Sequence, residues 1–290
     1  MLSLVQMKMR LEMNTKEIVN QAISYIMEHI EEEIALEDVA EYCHFSKFYF
    51  SRIFKDKTGE SVYAFIKRMK LEQSAFRLKV EQERSVTEIG LDYGYCPSNY
   101  SQAFRRHLKE SPMEFRSSIY DKSQNHPFYP GVEVKMDSFA KCNSKVKICT
   151  LNDIFVIYER VIGNYNNMSR TWCDFVGKYQ AYQEKDSLML ERTFDDPSIT
   201  DASKCLYDLC MSVSPDCPLE NSYTIPGGRF AVYDFKGYPP QIYNAYQNIF
   251  NVWLPGSKYT VDKRYGFDIY RSIDFKTMYM ELDICIPIES

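Results

Sequence analysis

Residues 50–61 read FSRIFKDKTGES, and residues 100–111 read YSQAFRRHLKES. Sliding the chain on itself by fifty positions lays Leu36 on Val86, Val39 on Ile89, Phe45 on Tyr95, Phe50 on Tyr100 and Phe54 on Phe104. Lys55 then meets Arg105, Ser61 meets Ser111 and Phe65 meets Phe115. Apolar positions coincide with apolar ones and basic with basic. A period of this length means one small structural unit written twice, which constrains the fold more than any composition does.

Within each copy the apolar residues mark two short helices. Leu36, Val39 and Ala40 stripe the first helix, the CHFS turn follows, and Phe50, Ile53 and Phe54 stripe the second. Burying those positions leaves Lys47, Phe48, Ser51, Arg52 and Lys55 facing outward. In the second copy, burying Tyr100, Ala103 and Phe104 leaves Ser98, Asn99, Gln102, Arg105 and Arg106 outward. Arg reads guanine with two hydrogen bonds, Asn and Gln read adenine, and Lys, Arg and Ser hold phosphates. A charged face on one short helix is ordinarily just solvated. Two copies sharing stripe, turn and basic face predict paired helix-turn-helix units, each offering its second helix to a major groove of double-stranded DNA. One chain can then enter successive grooves about 34 Å apart.

The net charge of −5 argues against this only when taken whole. Residues 43–79 hold nine basic side chains (Lys47, Arg52, Lys55, Lys57, Lys67, Arg68, Lys70, Arg77 and Lys79) against Asp56, Glu60 and Glu72, a local excess of six. Acidic residues gather elsewhere, as in EHIEEE at 28–33. A basic face on an acidic molecule suits one-sided contact with phosphate.

The 290 residues allow two domains of ordinary size. Residues 1–14 read as an N-terminal extension too charged for a signal peptide, with Met13 as a candidate start and Asn14 or Thr15 capping the first helix. Residues 15–120 are helix-rich, and 121–144, with two prolines and a glycine, read as a linker. From 145 to 290 the period falls to two. MYMELDICIPI (278–288) and CLYDLCMSV (205–213) each predict a strand with one buried face, and IFVIYERV and GRFAVYDFKG predict two more. Helical stripes run through Met168, Trp172, Phe175, Val176 and Tyr179, and through Ile242, Ala245, Tyr246, Ile249, Phe250 and Trp253. IFVIYERVIGNY (154–165) resembles RFAVYDFKGY (229–238). The second domain therefore reads as α+β, an antiparallel sheet with two helices built from a duplicated unit (β-β-helix or β-α-β).

Nine cysteines without a CxxC pair, and four histidines without ligand spacing, predict free thiols in a reducing cytoplasm, with no metal and no cofactor. Asp195 and Asp196, before Pro197, read as turn residues and not as catalytic acids.

Two stretches carry a wider resemblance. VTEIGLDYGYCPSNYSQAFRRHLKESPMEFR resembles the signature of AraC/XylS-type transcriptional regulators: Ile89-Gly90, Gly94-Tyr95, the Tyr100 to Phe104 helix, and Ser111-Pro112 through Phe115-Arg116. FIKRMKLEQSAFRLK resembles that family's linking helix. Gly90 stands where the family prefers Ala, Lys70 and Ser74 where it has Arg and Ala, and Gln102 where Arg is common. The turn after Tyr95 reads one residue short. The resemblance implies a DNA-binding regulator, an activator engaging RNA polymerase, and not an enzyme.

The second domain resembles GyrI-like effector-binding domains, giving a Rob-type architecture. The carrying segments are FVIYERVIGNY with Asn164 in place of Pro, TFDDPSITDASKCLYDLC with Leu206 in place of Arg, IPGGRFAVYDFKG, VWLPGSKY, YGFDIY and LDICIPI. The resemblance implies a small-molecule effector, cationic and lipophilic, with Asp268 at the floor of an aromatic pocket. Asp268 is one methylene shorter than the family's Glu. Tyr158, Tyr165, Trp172, Tyr207, Trp253 and Tyr270 are the candidate walls, although Trp253 also fits simple core packing on its helical stripe. Two other readings of this domain stay open on the sequence alone: a GyrI-like hydrolase, and a protein-interaction module without a ligand.

Overall fold

The computed structural model describes residues 4–289 except Asn164, Asn166 and Asn167, with side chains from Thr15 onward. Asn164, read above as the odd member of a turn, and residues 1–3 of the extension lie outside that set. The chain divides into two compact units. One comprises residues up to 78 together with 82–116, and the other 79–81 together with 117 onward.

The helical unit contains α1 (Leu4–Glu28), α2 (Leu36–Tyr42), α3 (Lys47–Thr58), α4 (Val62–Val80), α5 (Val86–Asp92), α6 (Pro97–Leu108) and the start of α7 (Pro112–Lys122). The first helix begins at Leu4, so the expected cap at Asn14 or Thr15 falls inside it. The repeat holds in detail. Rings of Phe50, Phe54 and Phe65 stand 5.7 and 5.4 Å apart in the first copy, and those of Tyr100, Phe104 and Phe115 stand 5.5 and 5.5 Å apart in the second. Edge-to-face aromatic chains of this kind give each small core its shape as well as its burial.

The turns also match. In the first copy the Phe45 amide donates to the Ala40 carbonyl at 2.9 Å, and in the second the Tyr95 amide donates to Gly90 at 3.0 Å. His44 and Gly94 take the left-handed conformation these turns need, at φ 60° and 77°. Both second helices start at the same offset, Lys47 and Pro97, so the turn after Tyr95 has the same length as its partner in the first copy.

The departures at Gly90 and Ser74 form one adjustment. Tyr100 replaces the first copy's Phe50, and its hydroxyl donates to Ser74 Oγ at 2.9 Å, which an alanine could not accept. A Cβ on Gly90 would sit 2.7 Å from the Tyr100 ring, so the glycine makes room for it. Lys70 ties two loops together. Its ammonium donates to the Glu32 carbonyl at 2.5 Å, ahead of the first helix pair, and to the Tyr93 carbonyl at 3.2 Å, in the second turn.

The second unit holds α8 (Phe139–Lys145), β1 (Val146–Leu151), β2 (Ile154–Ile162), α9 (Met168–Tyr179), β3 (Met189–Thr193), β4 (Leu206–Ser212), β5 (Ser222–Ile225), β6 (Gly228–Gly237), α10 (Pro239–Asn248), β7 (Thr260–Val261), β8 (Phe267–Asp274) and β9 (Tyr279–Glu289). The strand order is β1-β6-β9-β8-β3-β4-β2-β5, all antiparallel, with β7 joined to β9. The duplicated unit runs strand, helix, strand, strand. It is β2-α9-β3-β4 in one copy and β6-α10-β8-β9 in the other, and the copies meet where β3 pairs β8. The helix follows the first strand, not the second.

Burial corrects two expectations. Along β4, Leu206 to Met211 are buried without alternation, because both faces of the strand are covered. The segment read as a linker is also built into this unit. Lys135 and Asp137 amides donate to Asn244 and Asn248 of α10 at 2.5 and 2.6 Å, His126 bonds the Pro240 carbonyl at 2.9 Å, and α8 occupies its end. After α10 the stripe passes into a π-helical segment, Ile249–Trp253.

Candidate DNA interface and ligand site

On α3, Lys47, Phe48, Arg52 and Lys55 are exposed and Ser51 is half-buried; on α6, Ser98, Asn99, Gln102, Arg105 and Arg106 are all exposed. Helical spacing puts each set on one side of its helix, opposite the buried Phe50 and Phe54 or Tyr100 and Phe104. Phe48 is 81% exposed, an apolar group of the kind that meets a thymine methyl in a major groove. Lys47 pairs with Glu37 at 3.1 Å and Arg105 with Glu114 at 3.4 Å. Exposed pairs of this kind contribute about 0–1 kcal/mol, so they hold Lys47 and Arg105 only weakly.

The sequence count of positive charge overstates the face. Arg68, Lys70 and Lys79 are buried. Arg68 is spent on Glu60 at 2.8 Å and Glu72 at 3.0 Å, holding α4. In the 43–79 stretch the exposed charges are Lys47, Arg52, Lys55 and Lys57 against Asp56, and four minus one leaves three.

In the second unit, one sheet face gathers the acids. Asp268 is 2% exposed and accepts a hydrogen bond from Tyr246 of α10 at 2.7 Å. Directly across the β3–β8 pair stands Glu191, 4% exposed, accepting from the Tyr270 hydroxyl at 2.9 Å. No cation pairs with either carboxyl among the described residues. Burial pushes the Glu191 carboxyl up to about 7, with the Tyr270 bond acting the other way. Burial and the neighbouring Glu191 charge hold Asp268 well above the usual carboxylate range, and the Tyr246 bond only partly offsets them.

Aromatic rings frame this face. Tyr165 stacks on Tyr207 at 4.5 Å, and Trp172 of α9 meets Tyr270 edge-on at 5.2 Å. The buried Trp172 Nε1 has no acceptor among the described residues. The structure thus brings Asp268, Tyr270, Tyr165, Trp172 and Tyr207 to one side of the sheet. Tyr158 lies on the other side, packed 4.8 Å from Tyr223 in a core with Phe230 and Phe267, because strand alternation turns it away from Ile157 and Tyr207. Trp253 is buried in its helical stripe, donating to Asn143 at 3.0 Å and stacking on Tyr259. Core packing accounts for it.

Two residues here escaped the sequence reading. Glu191 lies on β3, a five-residue strand whose alternation was not recognised, and an acid between inward-facing Met189 and Thr193 was the available signal. Tyr246 was read only as part of a helical stripe.

Of the two turn candidates, Asp196 makes local turn contacts and also pairs with the buried Lys79 at 2.6 Å, while Asp195 reaches across to β4. Asp195 accepts from the Leu206 amide, and Asp196 accepts from the Ser198 amide and hydroxyl at 2.8 and 2.6 Å. No disulfide joins cysteines among the described residues, and no helix among them is long and apolar enough to cross a membrane.

Comparison with known proteins joins these observations. Residues 39–118 match a helix-turn-helix domain family, and residues 144–289 match the GyrI-like small molecule binding domain. The regulatory protein SoxS of Escherichia coli K12 is 30% identical over 108 residues, which is 37% of this chain and all of SoxS. The transcriptional regulator Rob of Salmonella typhimurium is 28% identical over 102 residues, 35% of each chain. The solved structure of SAV2435 bound to tetraphenylphosphonium shares 12% identity at a TM-score of 0.38, covering 50% of this chain and 94% of that one. The chain belongs to the AraC-type helix-turn-helix transcriptional regulators that carry a C-terminal GyrI-like small molecule binding domain, a family of regulators and not of enzymes.

Proposed function

We propose that this regulator is a cytoplasmic activator whose two helices α3 and α6 read one operator in successive grooves, and whose second unit senses a lipophilic cation on the Glu191–Asp268 face. The carrying observation is the pair of buried carboxyls with no cation beside them among the described residues, framed by Tyr165, Tyr207, Tyr270 and Trp172. An unpaired negative charge in a buried site is costly, so a cation that enters removes that cost. The rings add cation–π attraction, about 2 kcal/mol when the cation is desolvated. A ligand changes output only through different affinities for two states, and an activator passes that difference to RNA polymerase.

The test is the thermal stability of the full chain with tetraphenylphosphonium and with triphenylphosphine oxide, its uncharged counterpart. A rise in Tm with the cation that greatly exceeds the rise with the neutral compound is expected. Equal shifts, or none, would remove the cation reading and turn attention to neutral ligands or a protein partner.

A further inference from the structure

The two carboxyls of the site are not interchangeable. Both stand on the same sheet face, one from each copy of the duplicated unit. Their surroundings differ. Asp268, the shorter side chain, keeps its carboxyl close to the strands and is covered by Tyr246 from α10. Glu191 reaches one methylene further, and its hydroxyl partner belongs to the ring that meets Trp172. Tyr270 bonds it, and Tyr165 and Tyr207 feel its charge. The titratable groups facing Glu191 are Asp268 and Tyr270 from β8, Tyr165 from the segment after β2, Tyr207 from β4 and Tyr246 from α10. None of them is basic.

Resting on the cation reading above, we infer that Glu191, and not Asp268, carries the negative charge that a bound cation meets, while Asp268 stays protonated in the complex and helps set the strength of Glu191. Two carboxylates opposite each other on paired strands cannot both ionise without a counter-charge, since their Cβ atoms are only about 5 Å apart. One cation compensates one of them. Glu191, whose partner Tyr270 stands against Trp172, takes that part, and it is also the easier of the two to ionise.

The unmodified protein tests this through proton release. Titrate the full chain with tetraphenylphosphonium by calorimetry, in buffers of differing ionisation enthalpy, at pH 7 and pH 8.5. With Glu191 as the charge, ionising near pH 7, binding releases about half a proton at pH 7 and almost none at pH 8.5. Release of about one and a half protons at pH 7 and of about a full proton at pH 8.5 would mean that Asp268 ionises beside Glu191, and would overturn the inference; which of the two bears a single charge is read from the variants. The variants give an independent reading. E191Q is expected to lose the preference for the cation over triphenylphosphine oxide by at least about tenfold, and D268N to keep it. The reverse pattern, or loss in both, would also overturn it. If the unmodified chain shows no preference for the cation at all, the sensor reading itself falls and this assignment falls with it; a preference that survives E191Q refutes this assignment alone.

Discussion

Replacing Gly90 by alanine is the sharpest test of how the second reading unit is packed. In an ordinary helix Gly→Ala stabilises by about 1 kcal/mol, because the unfolded chain loses freedom and the helix gains propensity. Here the new Cβ would stand 2.7 Å from Tyr100 Cδ1 and 2.8 Å from Cγ, where ordinary contact begins at 3.4 Å. The ring has to retreat by the difference, 3.4 minus 2.7, or about 0.7 Å. Its hydroxyl sits 2.9 Å from Ser74 Oγ, so the same retreat breaks that buried bond. Overpacking costs about 1–3 kcal/mol, the lost bond about 1, and propensity returns about 1, for a net loss of about 1–3 kcal/mol. Hydrogen exchange over α5 and α6 reads it directly. Amides of Ile89 and Tyr100 are expected to exchange about 5- to 150-fold faster in the variant, with the α2 and α3 amides as internal control. If Gly90→Ala slows exchange instead, the ring does not bear on α5, and the account of Gly90, Ser74 and Tyr100 as one adjustment is wrong.

Arg52→Ala and Arg106→Ala should each weaken binding to a selected operator by about 1–3 kcal/mol, while Lys55→Ala should flatten the salt dependence by about one unit of slope; unchanged isotherms for both arginine variants would sink the recognition-face assignment. Glu191 also predicts a pH dependence of stability without ligand. Its folded value is raised, so the folded state holds a proton that the unfolded state has lost, and stability falls as pH climbs from about 4.5 to about 7. The accumulated loss at pH 8 from Glu191 is roughly 3 kcal/mol, and E191Q should remove that share of the slope in melts from pH 5 to 8, leaving the share that Asp268 contributes. Arg160 grips Asp208 through two 2.8 Å bonds, with both groups buried, so Asp208→Ala should cost about 3–5 kcal/mol in denaturant unfolding of the second unit.

The helical unit was largely legible because its determinants are local. Apolar stripes, the positions of Phe54 and Phe65 against Phe104 and Phe115, and the His44 and Gly94 turns all repeat at a fixed offset. Charge was less legible: Arg68 and Lys70 look like any surface base in the sequence, and only tertiary packing reveals their carboxylate and carbonyl partners. In the sheet unit, strands with one apolar parity such as 280, 282, 284, 286 and 288 announced themselves. The strand carrying Glu191 did not, because five residues give too short a period and its partner is far along the chain. Tyr158 was misplaced for a related reason: knowing that a segment is a strand does not say which of two buried faces each parity serves.

The strand order carries a consequence for the order of events during synthesis. Both reading helices and the helix that joins them are complete by residue 108. The second unit includes distant pairings: Val146 pairs with Tyr233, and Glu191 with Asp268. Folding that depends on distant pairings is slow, and it waits for the last strands to leave the ribosome. Each new molecule therefore passes through a period in which its reading heads are formed and its ligand site is not. How long that period lasts sets how much unliganded reading the cell experiences from newly made protein.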